Sequence, residues 1–225
     1  IVITHAHLDH SGALPLLLKH GYDGLIYLTS PTRDLIALLL HDYVNVALRT
    51  GVTPFFSEAD ITDFLSACIT VEYGETVDIA PDVKLTMYNA GHILGSSMAY
   101  LTIGEREHCI LYTGDFRFRD SRLLDKAEED IPRVDTLIME CTYGGEEDVF
   151  PPLKKAEEKL ISVINEVINA GGKVLIPALS VGRSTEVILT LIDAFSKGAL
   201  PDVPVFIDGM IADSTAIHTA YPIYL

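Results

Sequence analysis

The chain has 225 residues, of which 48% are hydrophobic, and a mean hydropathy of +0.29, which is enough apolar material for one large or two small domains. Thirty-two acidic residues against 16 basic ones give a formal net charge of −16, which argues against polyanion binding through the average surface. The chain shows no apolar run of membrane-spanning length and no signal peptide, and its three cysteines, an odd number, argue against a disulfide framework.

The most informative stretch begins directly after residues 1–4, which predict a short apolar strand. The run His-Ala-His-Leu-Asp-His follows and places three imidazoles and a carboxylate close together. In a loop after the strand, His5 and His7 can turn toward one metal ion, and Asp9 and His10 toward a second. Imidazole and carboxylate ligands together suit zinc and its first-row neighbours. The pattern therefore predicts a metal site.

The next part of the chain predicts helices around one strand. A short helix is expected over residues 11–20 and a strand over 25–29. Ser30, followed by a proline, predicts the start of a longer helix, with the serine hydroxyl as N-cap. Ser57 predicts a weaker helix start, because Asp60 stands where a capping box prefers Glu or Gln.

Short apolar runs separated by glycine and charged turns predict four further strands, at residues 83–88, 98–103, 109–113 and 136–139. His92, Asp115 and Glu140 each follow one of these runs. Side chains at strand ends on one edge of a sheet are held rigidly, which favours a metal site built from them. Cys109 and Cys141 lie in apolar surroundings and are expected to be buried thiols.

After Gly145 the pattern changes to alternating helix and strand. Helices are expected at 153–170 and 185–197, and strands at 173–177 and 205–207. This order predicts a βαβ unit with a parallel sheet. The chain is therefore expected to divide into two domains, residues 1–144 with the metal site and residues 145–225.

Several of these motifs resemble known families. The histidine run with Ser11-Gly12 after it, the block around His92 and the block around Asp115 resemble metallo-β-lactamase-fold hydrolases. Further blocks resemble the β-CASP nucleases, most of all the archaeal homologues of the cleavage and polyadenylation specificity factor endonuclease; these blocks lie at residues 137–144, 171–178, 180–184, 205–210 and 216–222. The resemblance implies an incomplete αββα metallo-β-lactamase fold, followed by the N-terminal part of an α/β β-CASP domain. It also implies that the chain is a fragment of a longer protein.

The resemblance implies two zinc ions, the first held by His5, His7, His92 and Asp115 and the second by Asp9, His10 and Asp115. Asp115 would bridge them, and Asp9 would also orient the attacking hydroxide. The second zinc would lack one ligand in this fragment, namely a histidine expected downstream, so catalysis by the fragment alone should be incomplete.

Glu140 is a candidate catalytic residue, since the resemblance implies that it orients a histidine outside this chain; a buried salt-bridge partner is the alternative. Ser180, Gly182 and Arg183 open a helix after a predicted strand, where free N–H groups and a guanidinium can bind phosphate. A tight turn that needs glycine explains the same residues equally well.

Residues outside these sets receive structural interpretations. The remaining histidines carry no ligand context, and these are His20, His41, His108 and His218. The arginines after Asp115 are interpreted as a solvated charged loop, and these are Arg117, Arg119 and Arg122.

The leading functional hypothesis is a zinc-dependent endoribonuclease of RNA processing or transcription termination, with 5′-exonuclease activity as an option in the complete protein. A thioester or lactone hydrolase of the same fold and a non-catalytic scaffold in an RNA-processing complex are the alternatives. The expected partner is single-stranded RNA, with no membrane, and assembly as a homodimer or in an RNA-processing complex would use regions outside this chain. The expected location is the cytoplasm.

Overall fold

A computed structural model describes residues 1–119 and 121–225 and divides the chain into two compact units. Unit 1 comprises residues 1–119, Leu124–Glu140 and Ala216–Leu225, and unit 2 comprises Ser121–Leu123 and Cys141–Thr215. The last segment of the chain thus packs with the first unit. The division into domains 1–144 and 145–225 stays a prediction. The mixed α/β class with parallel strand pairing is confirmed.

Unit 1 contains two sheets among its described residues. The smaller sheet pairs β1 (Ile26–Leu28) with β2 (Cys68–Thr70) in parallel. The larger has the order β3-β4-β5-β6-β7, with strands Thr76–Ala80, Val83–Asn89, Ser97–Ile103, His108–Tyr112 and Thr136–Ile138. Its pairs are antiparallel except β6–β7, which is parallel. Consequently β4, β6 and β7 run in the same direction, and their carboxyl ends lie at the same edge of the sheet.

The two sheets of unit 1 meet through a core of buried side chains. Leu85, Met87 and Ala99 from the larger sheet cluster with Val71, and Val2 and Tyr27 pack against them from the smaller sheet's side. These strands follow the period-2 pattern, in which alternate residues face the core. The result is two facing sheets whose strand ends position the loops after them.

Helices cover unit 1. They are α1 (Leu8–Ser11), α2 (Leu14–Lys19), α3 (Ser30–Arg49) and α4 (Glu58–Ser66). The single helix predicted over 11–20 is therefore two, because the chain turns at Gly12 and Ala13 and proline stands in the first turn of α2. The predicted N-cap of α3 was wrong by one residue, since the Thr29 side chain accepts from the Thr32 N–H. The capping box at Ser57 is confirmed, with Asp60 accepting from the Ser57 N–H at 2.7 Å.

The carboxyl-terminal segment of the chain closes onto unit 1. It contains the end of α7 (Ile211–Ala220) and a 3₁₀ turn at Pro222–Tyr224. The Tyr221 hydroxyl donates to Asp34 Oδ2 at 2.5 Å, and the Tyr224 hydroxyl donates to Glu72 Oε2 at 2.5 Å. The sequence patterns did not predict α7 or these contacts.

Unit 2 is built around α5 (Leu153–Asn169) and α6 (Arg183–Ser196), close to the two predicted helices. Ile164 of α5 and Leu191 and Ala194 of α6 form a small core with Leu200, which follows α6. The strands predicted at 173–177 and 205–207 form no β-ladder within the described part of the chain. Leu175 and Phe206, at the centres of these runs, are 90% and 89% exposed. An apolar run becomes a strand only where a neighbouring backbone supplies hydrogen-bond partners.

The two cysteines expected to be buried differ in exposure. Cys109 is buried as expected, whereas Cys141 is exposed, so the prediction of a buried thiol was wrong at that position. The apolar strand β7 ends at Ile138, and Cys141 lies beyond the part of the run that pairs. Among the described residues no helix is both long and apolar enough to cross a membrane.

Candidate metal centre

The first loop of the site leaves the core at Thr4. Residues 1–4 join the smaller sheet through an isolated β-bridge, Val2–Tyr27, so the predicted strand is shorter than expected. The Thr4 carbonyl accepts from the Ser97 N–H at 2.7 Å, and Thr4 Oγ1 lies 3.2 Å from His5 Nδ1. His5 itself is fully buried. Its ring orientation is therefore set by a neighbouring side chain, as for many metal-binding histidines.

A single helical turn, α1, then carries Asp9 and His10, the remaining polar residues of the first motif. In this turn, α1, the His7 carbonyl accepts from the His10 N–H at 3.0 Å. His10 Nε2 lies 3.5 Å from Asp9 Oδ2 and 3.4 Å from Asp115 Oδ1. The Asp9 side chain is 77% exposed, so it stands on the open side of the site.

His92 lies in the loop between β4 and β5. The buried Ser96 side chain accepts from the backbone N–H groups of His92 and Ile93, at 3.0 and 3.2 Å. Gly91 and Gly95 take positive φ values of 64° and 74°, which side chains other than glycine rarely adopt. The loop places His92 Nε2 3.2 Å from His7 Nδ1.

Asp115 follows β6 through Gly114, whose φ is 53°. Its two carboxylate oxygens face different partners. Oδ2 lies 3.8 Å from His5 Nε2 and 3.5 Å from His92 Nε2, whereas Oδ1 faces His10. A carboxylate placed in this way can bridge two cations, one on each oxygen.

Four of the residues can reach one metal ion together. His5, His7, His92 and Asp115 each offer a ligand atom, and these atoms all lie within 4.8 Å of one another. His5 Nε2 is buried and has no hydrogen-bond partner among the described residues. Buried polar atoms normally have a partner, and a metal ion would supply one here. The set of imidazole and carboxylate donors fits zinc.

The electrostatics of the group also favour a cation. Burial, with further contributions from His10, His92 and His7, lowers the pKa of His5 to about 2. His5 is therefore neutral at physiological pH, which is the form that binds metal. Burial raises the pKa of Asp115, His10 lowers it, and the nearby charges of Glu140 and Asp9 raise it further. A bound cation would relieve this repulsion.

The other predicted site residues lie outside the four-residue group. Glu140 follows β7, and its N–H donates to Thr113 Oγ1 at 3.3 Å, which places it beside the Asp115 loop. Ser180, Gly182 and Arg183 belong to unit 2, where Gly182 is the N-cap of α6 with a φ of 91°. Ser180 accepts from the Ser184 hydroxyl at 2.7 Å through its carbonyl. Phosphate binding at this turn stays a prediction.

The remaining histidines and Arg122 were interpreted as structural residues, and the structure shows the surroundings of each. The remaining histidines lie outside the candidate metal group, and these are His20, His41, His108 and His218. Arg122 forms ion pairs with Glu157 and Asp193 in unit 2, and its side chain is only 26% exposed. Its interpretation as part of a solvated loop was therefore wrong, because two acidic partners from α5 and α6 surround it.

Sequence reasoning missed the residues that support the ligands. Thr4 and Ser96 are short polar residues beside the ligand motifs, and both are buried. One sign of this support was present in the sequence, namely that Ser96 follows Gly95 within the block around His92. Tyr73, whose hydroxyl donates to the Ser96 carbonyl at 2.7 Å, gives no signal in the sequence.

Known protein families match the part of the chain that contains these residues. The sequence model of the metallo-beta-lactamase superfamily domain matches residues 1–137. Over its whole length the chain is 50% identical to the "Transcription termination factor FttA" of Methanothermobacter thermautotrophicus, 51% to that of Pyrococcus abyssi and 50% to that of Thermococcus kodakarensis. It spans 35% of the length of each of these relatives. Because the matched domain contains all the candidate ligands and more than half of the chain, the chain belongs to the metallo-β-lactamase superfamily.

Proposed function

We propose that this chain carries the metal centre of a zinc-dependent endoribonuclease that acts in transcription termination. The observation that carries the proposal is the position of Asp115, with one carboxylate oxygen toward His5 and His92 and the other toward His10. Such a carboxylate is what a site for two metal ions needs. The three relatives named above are transcription termination factors, which supports RNA as the substrate class.

The residues divide the work as follows. His5, His7, His92 and Asp115 would hold the first zinc, and Asp9, His10 and Asp115 the second. When bound, such a pair supplies a Lewis acid and lowers the pKa of water. Asp9, exposed and 3.5 Å from His10 Nε2, can orient the attacking water and hold its proton. Glu140 would position a histidine from a region outside this chain.

The net charge of −16 requires a source of phosphate affinity. Divalent cations at the acidic centre would reverse the local field, so phosphate can approach there despite the average surface charge. We propose Ser180, Gly182 and Arg183 as a further phosphate contact, because Gly182 is the N-cap of α6 and the N-terminus of a helix attracts anions. Single-stranded RNA, 5′-exonuclease activity, a cytoplasmic location and assembly as a homodimer or in an RNA-processing complex remain parts of this proposal.

A specific observation keeps the small-molecule hydrolase as a second candidate. An apolar cavity of about 360 Å³ lies in unit 1 and is lined by Phe116, Phe118 and Met139, among others. Phe116 directly follows Asp115, so an acyl chain in the cavity would lie near the site. The scaffold alternative is less well supported, since scaffolds have no need of metal ligands and all six candidate positions are filled by ligand residues here.

The test uses the full-length protein that contains this chain. Asp9→Asn keeps the size of the side chain but removes its charge, so cleavage of labelled single-stranded RNA should fall roughly 10²-fold or more. RNA binding should change little, because phosphate contacts come mainly from basic groups and backbone N–H groups. The matched control is Asp82→Asn, at an exposed carboxylate between β3 and β4. Thioester and lactone hydrolysis are measured in parallel. If the parent leaves RNA intact and hydrolyses the esters in an Asp9-dependent way, the second candidate replaces the first.

A further inference from the structure

Ser96 is the residue on which the His92 loop is built. It is fully buried, and four of its hydrogen bonds hold the loop together. Its side chain accepts from the N–H groups of His92 and Ile93, and its own N–H donates to the Ile93 carbonyl at 2.9 Å. Its carbonyl accepts from the Ala90 N–H at 3.0 Å. Any rotation of the Ser96 peptide would therefore move the His92 backbone.

The remaining acceptor position on the Ser96 carbonyl is filled from outside the loop. The Tyr73 hydroxyl donates to this oxygen at 2.7 Å. A carbonyl oxygen has two lone pairs, and the bonds from Ala90 and Tyr73 use both. Burial raises the pKa of the Tyr73 hydroxyl well above its usual range, so the group stays protonated and remains a donor at neutral pH.

Tyr73 is itself held from two sides. Its backbone bridges to Met87 in β4, and the Gly74 N–H donates to the Met87 carbonyl at 2.8 Å. The Tyr224 ring packs edge-on against the Tyr73 ring, with their centroids 4.8 Å apart. The hydroxyl therefore reaches Ser96 from a backbone paired with β4 and a ring packed against Tyr224.

We propose that Tyr73 is a positioning residue for the metal centre, acting through Ser96 to fix the His92 backbone and hence its ring. The inference rests on the proposed metal site, because it matters only if His92 is a ligand. Tyr73 touches no ligand atom of the centre. Partners of this outer kind typically change metal affinity by 10–100-fold when they are removed.

Tyr100 provides a matched control. It is a buried tyrosine of unit 1, whereas Tyr73 is partly buried, and its hydroxyl also donates to a backbone carbonyl, that of Arg133 at 2.9 Å. Arg133 lies before β7 and outside the candidate ligand group. Tyr73→Phe and Tyr100→Phe therefore remove the same chemical group from comparable surroundings, and only the first should affect the metal.

The experiment measures Zn²⁺ affinity by chelator competition and the visible spectrum of bound Co²⁺, which reports ligand geometry. Tyr73→Phe should weaken Zn²⁺ binding about 10-fold and alter the Co²⁺ spectrum, whereas Tyr100→Phe should match the parent in both. Ser96→Ala keeps the carbonyl that Tyr73 contacts but removes the side-chain acceptor of the His92 and Ile93 N–H groups, so it should weaken Zn²⁺ binding by up to about 100-fold. Parent-like affinity and spectrum in Tyr73→Phe overturn the inference. If Tyr73→Phe does not fold, parent-like affinity in Ser96→Ala overturns it instead.

His92→Ala separates this inference from the proposed metal site. Loss of tight Zn²⁺ binding in His92→Ala, together with parent-like binding in Tyr73→Phe, would remove the positioning role and leave the metal site standing. Parent-like binding in His92→Ala would remove the site itself, and the positioning role with it.

Discussion

Strand β6 in unit 1 and residues 173–177 in unit 2 are apolar runs of similar length, but among the described residues only the first pairs with neighbouring strands. β6 is paired on both sides, by β5 and by β7, and its Leu111 is only 7% exposed. Residues 173–177 form no ladder in the described part of the chain, and Leu175 is 90% exposed. The loop after β6 therefore starts from a fixed strand end, and this is where Asp115 lies. Within the residues that the structure describes, the Ser180–Ser184 turn follows no paired strand.

The largest effect is expected at Asp115 itself. In Asp115→Ala, Zn²⁺ affinity should fall by about 10²-fold or more, since loss of an outer partner alone changes metal affinity 10–100-fold. The parent chain should hold one zinc tightly and the second weakly, because Asp9, His10 and Asp115 leave that site open. Metal analysis after dialysis measures both expectations, with Asp208→Ala, an exposed carboxylate in unit 2, as control. Two tightly held zinc ions in the parent chain would contradict the second expectation, and a zinc-loaded Asp115→Ala the first.

Acid should act on unit 1 through a group that unit 2 lacks, since Cys141–Thr215 contains no histidine. With the pKa of His5 lowered to about 2, the folded state binds fewer protons there than the unfolded state, whose histidine titrates near 6.5. The stabilisation by neutral His5 is complete above about pH 6.5 and is lost as pH falls toward 2, by up to about 1.4 kcal/mol per pH unit.

Denaturant unfolding of the metal-free chain at pH 5 to 7 measures this slope. His5→Gln should flatten it, whereas His20→Gln, at an exposed site, should leave it as in the parent. An unchanged slope in His5→Gln would show that His5 is not the titrating group.

Two glycines, one in each unit, should show effects of intermediate size on stability. Gly114 and Gly171 both have positive φ, at 53° and 76°. A Cβ at Gly114 would lie 2.6 Å from Thr4 Oγ1, whereas a Cβ at Gly171 would meet nothing within 4 Å. Gly171→Ala should therefore cost about 1 kcal/mol of unfolding free energy from backbone strain alone. Gly114→Ala should cost about 3 kcal/mol, because Thr4 must also move.

Thermal or denaturant unfolding compares these two glycine variants. Since Thr4 contacts His5, Gly114→Ala should also weaken Zn²⁺ binding, and Gly171→Ala should not. Equal losses of stability in the two variants would mean that the Thr4 contact contributes nothing.

The smallest effect is expected at Arg122, which links α5 and α6 in unit 2. Its pKa is raised, first by the hydrogen bond to Glu157, but the group is partly exposed and solvent screens it. Arg122→Ala should therefore cost at most about 1 kcal/mol, and less at high salt. Lys155→Ala, on the exposed side of α5, is the control. A loss of several kcal/mol would show that unit 2 depends on this pair far more than on its apolar core.

The sequence predicted most of unit 1 because its signals are local. Short apolar runs between glycine and charged turns predicted β4, β5, β6 and β7 within a residue or two at each end. It also predicted which residues would converge on one point. His92 and Asp115 follow β4 and β6, whose carboxyl ends share an edge of the larger sheet, and the Thr4–Ser97 hydrogen bond joins the segment before His5 to β5. Their role as metal ligands remains a proposal. In unit 2 the helices were predictable from their amphipathic faces, whereas strand pairing depends on partners that no local pattern contains.

The same limit explains what was missed around the site. The Tyr73–Ser96 and Thr4–Ser97 contacts join residues far apart in the chain, and each is one hydrogen bond with no periodic signature. The exposure of Cys141 has the same origin. It depends on where pairing of β7 stops, and a pattern can place such a boundary only to within a few residues.

The return of Ala216–Leu225 to unit 1 has a consequence for folding during synthesis. Tyr221 and Tyr224 bond to Asp34 and Glu72 across 187 and 152 positions of the chain. The ribosome makes Cys141–Thr215 of unit 2 before this last segment of unit 1, at roughly 5–20 residues per second. For some seconds, therefore, the earlier segments of unit 1 exist without Tyr224, whose ring packs against Tyr73. Contacts of such long range form slowly. Until they form, the larger sheet of unit 1 depends on pairing between strands that are close in the sequence.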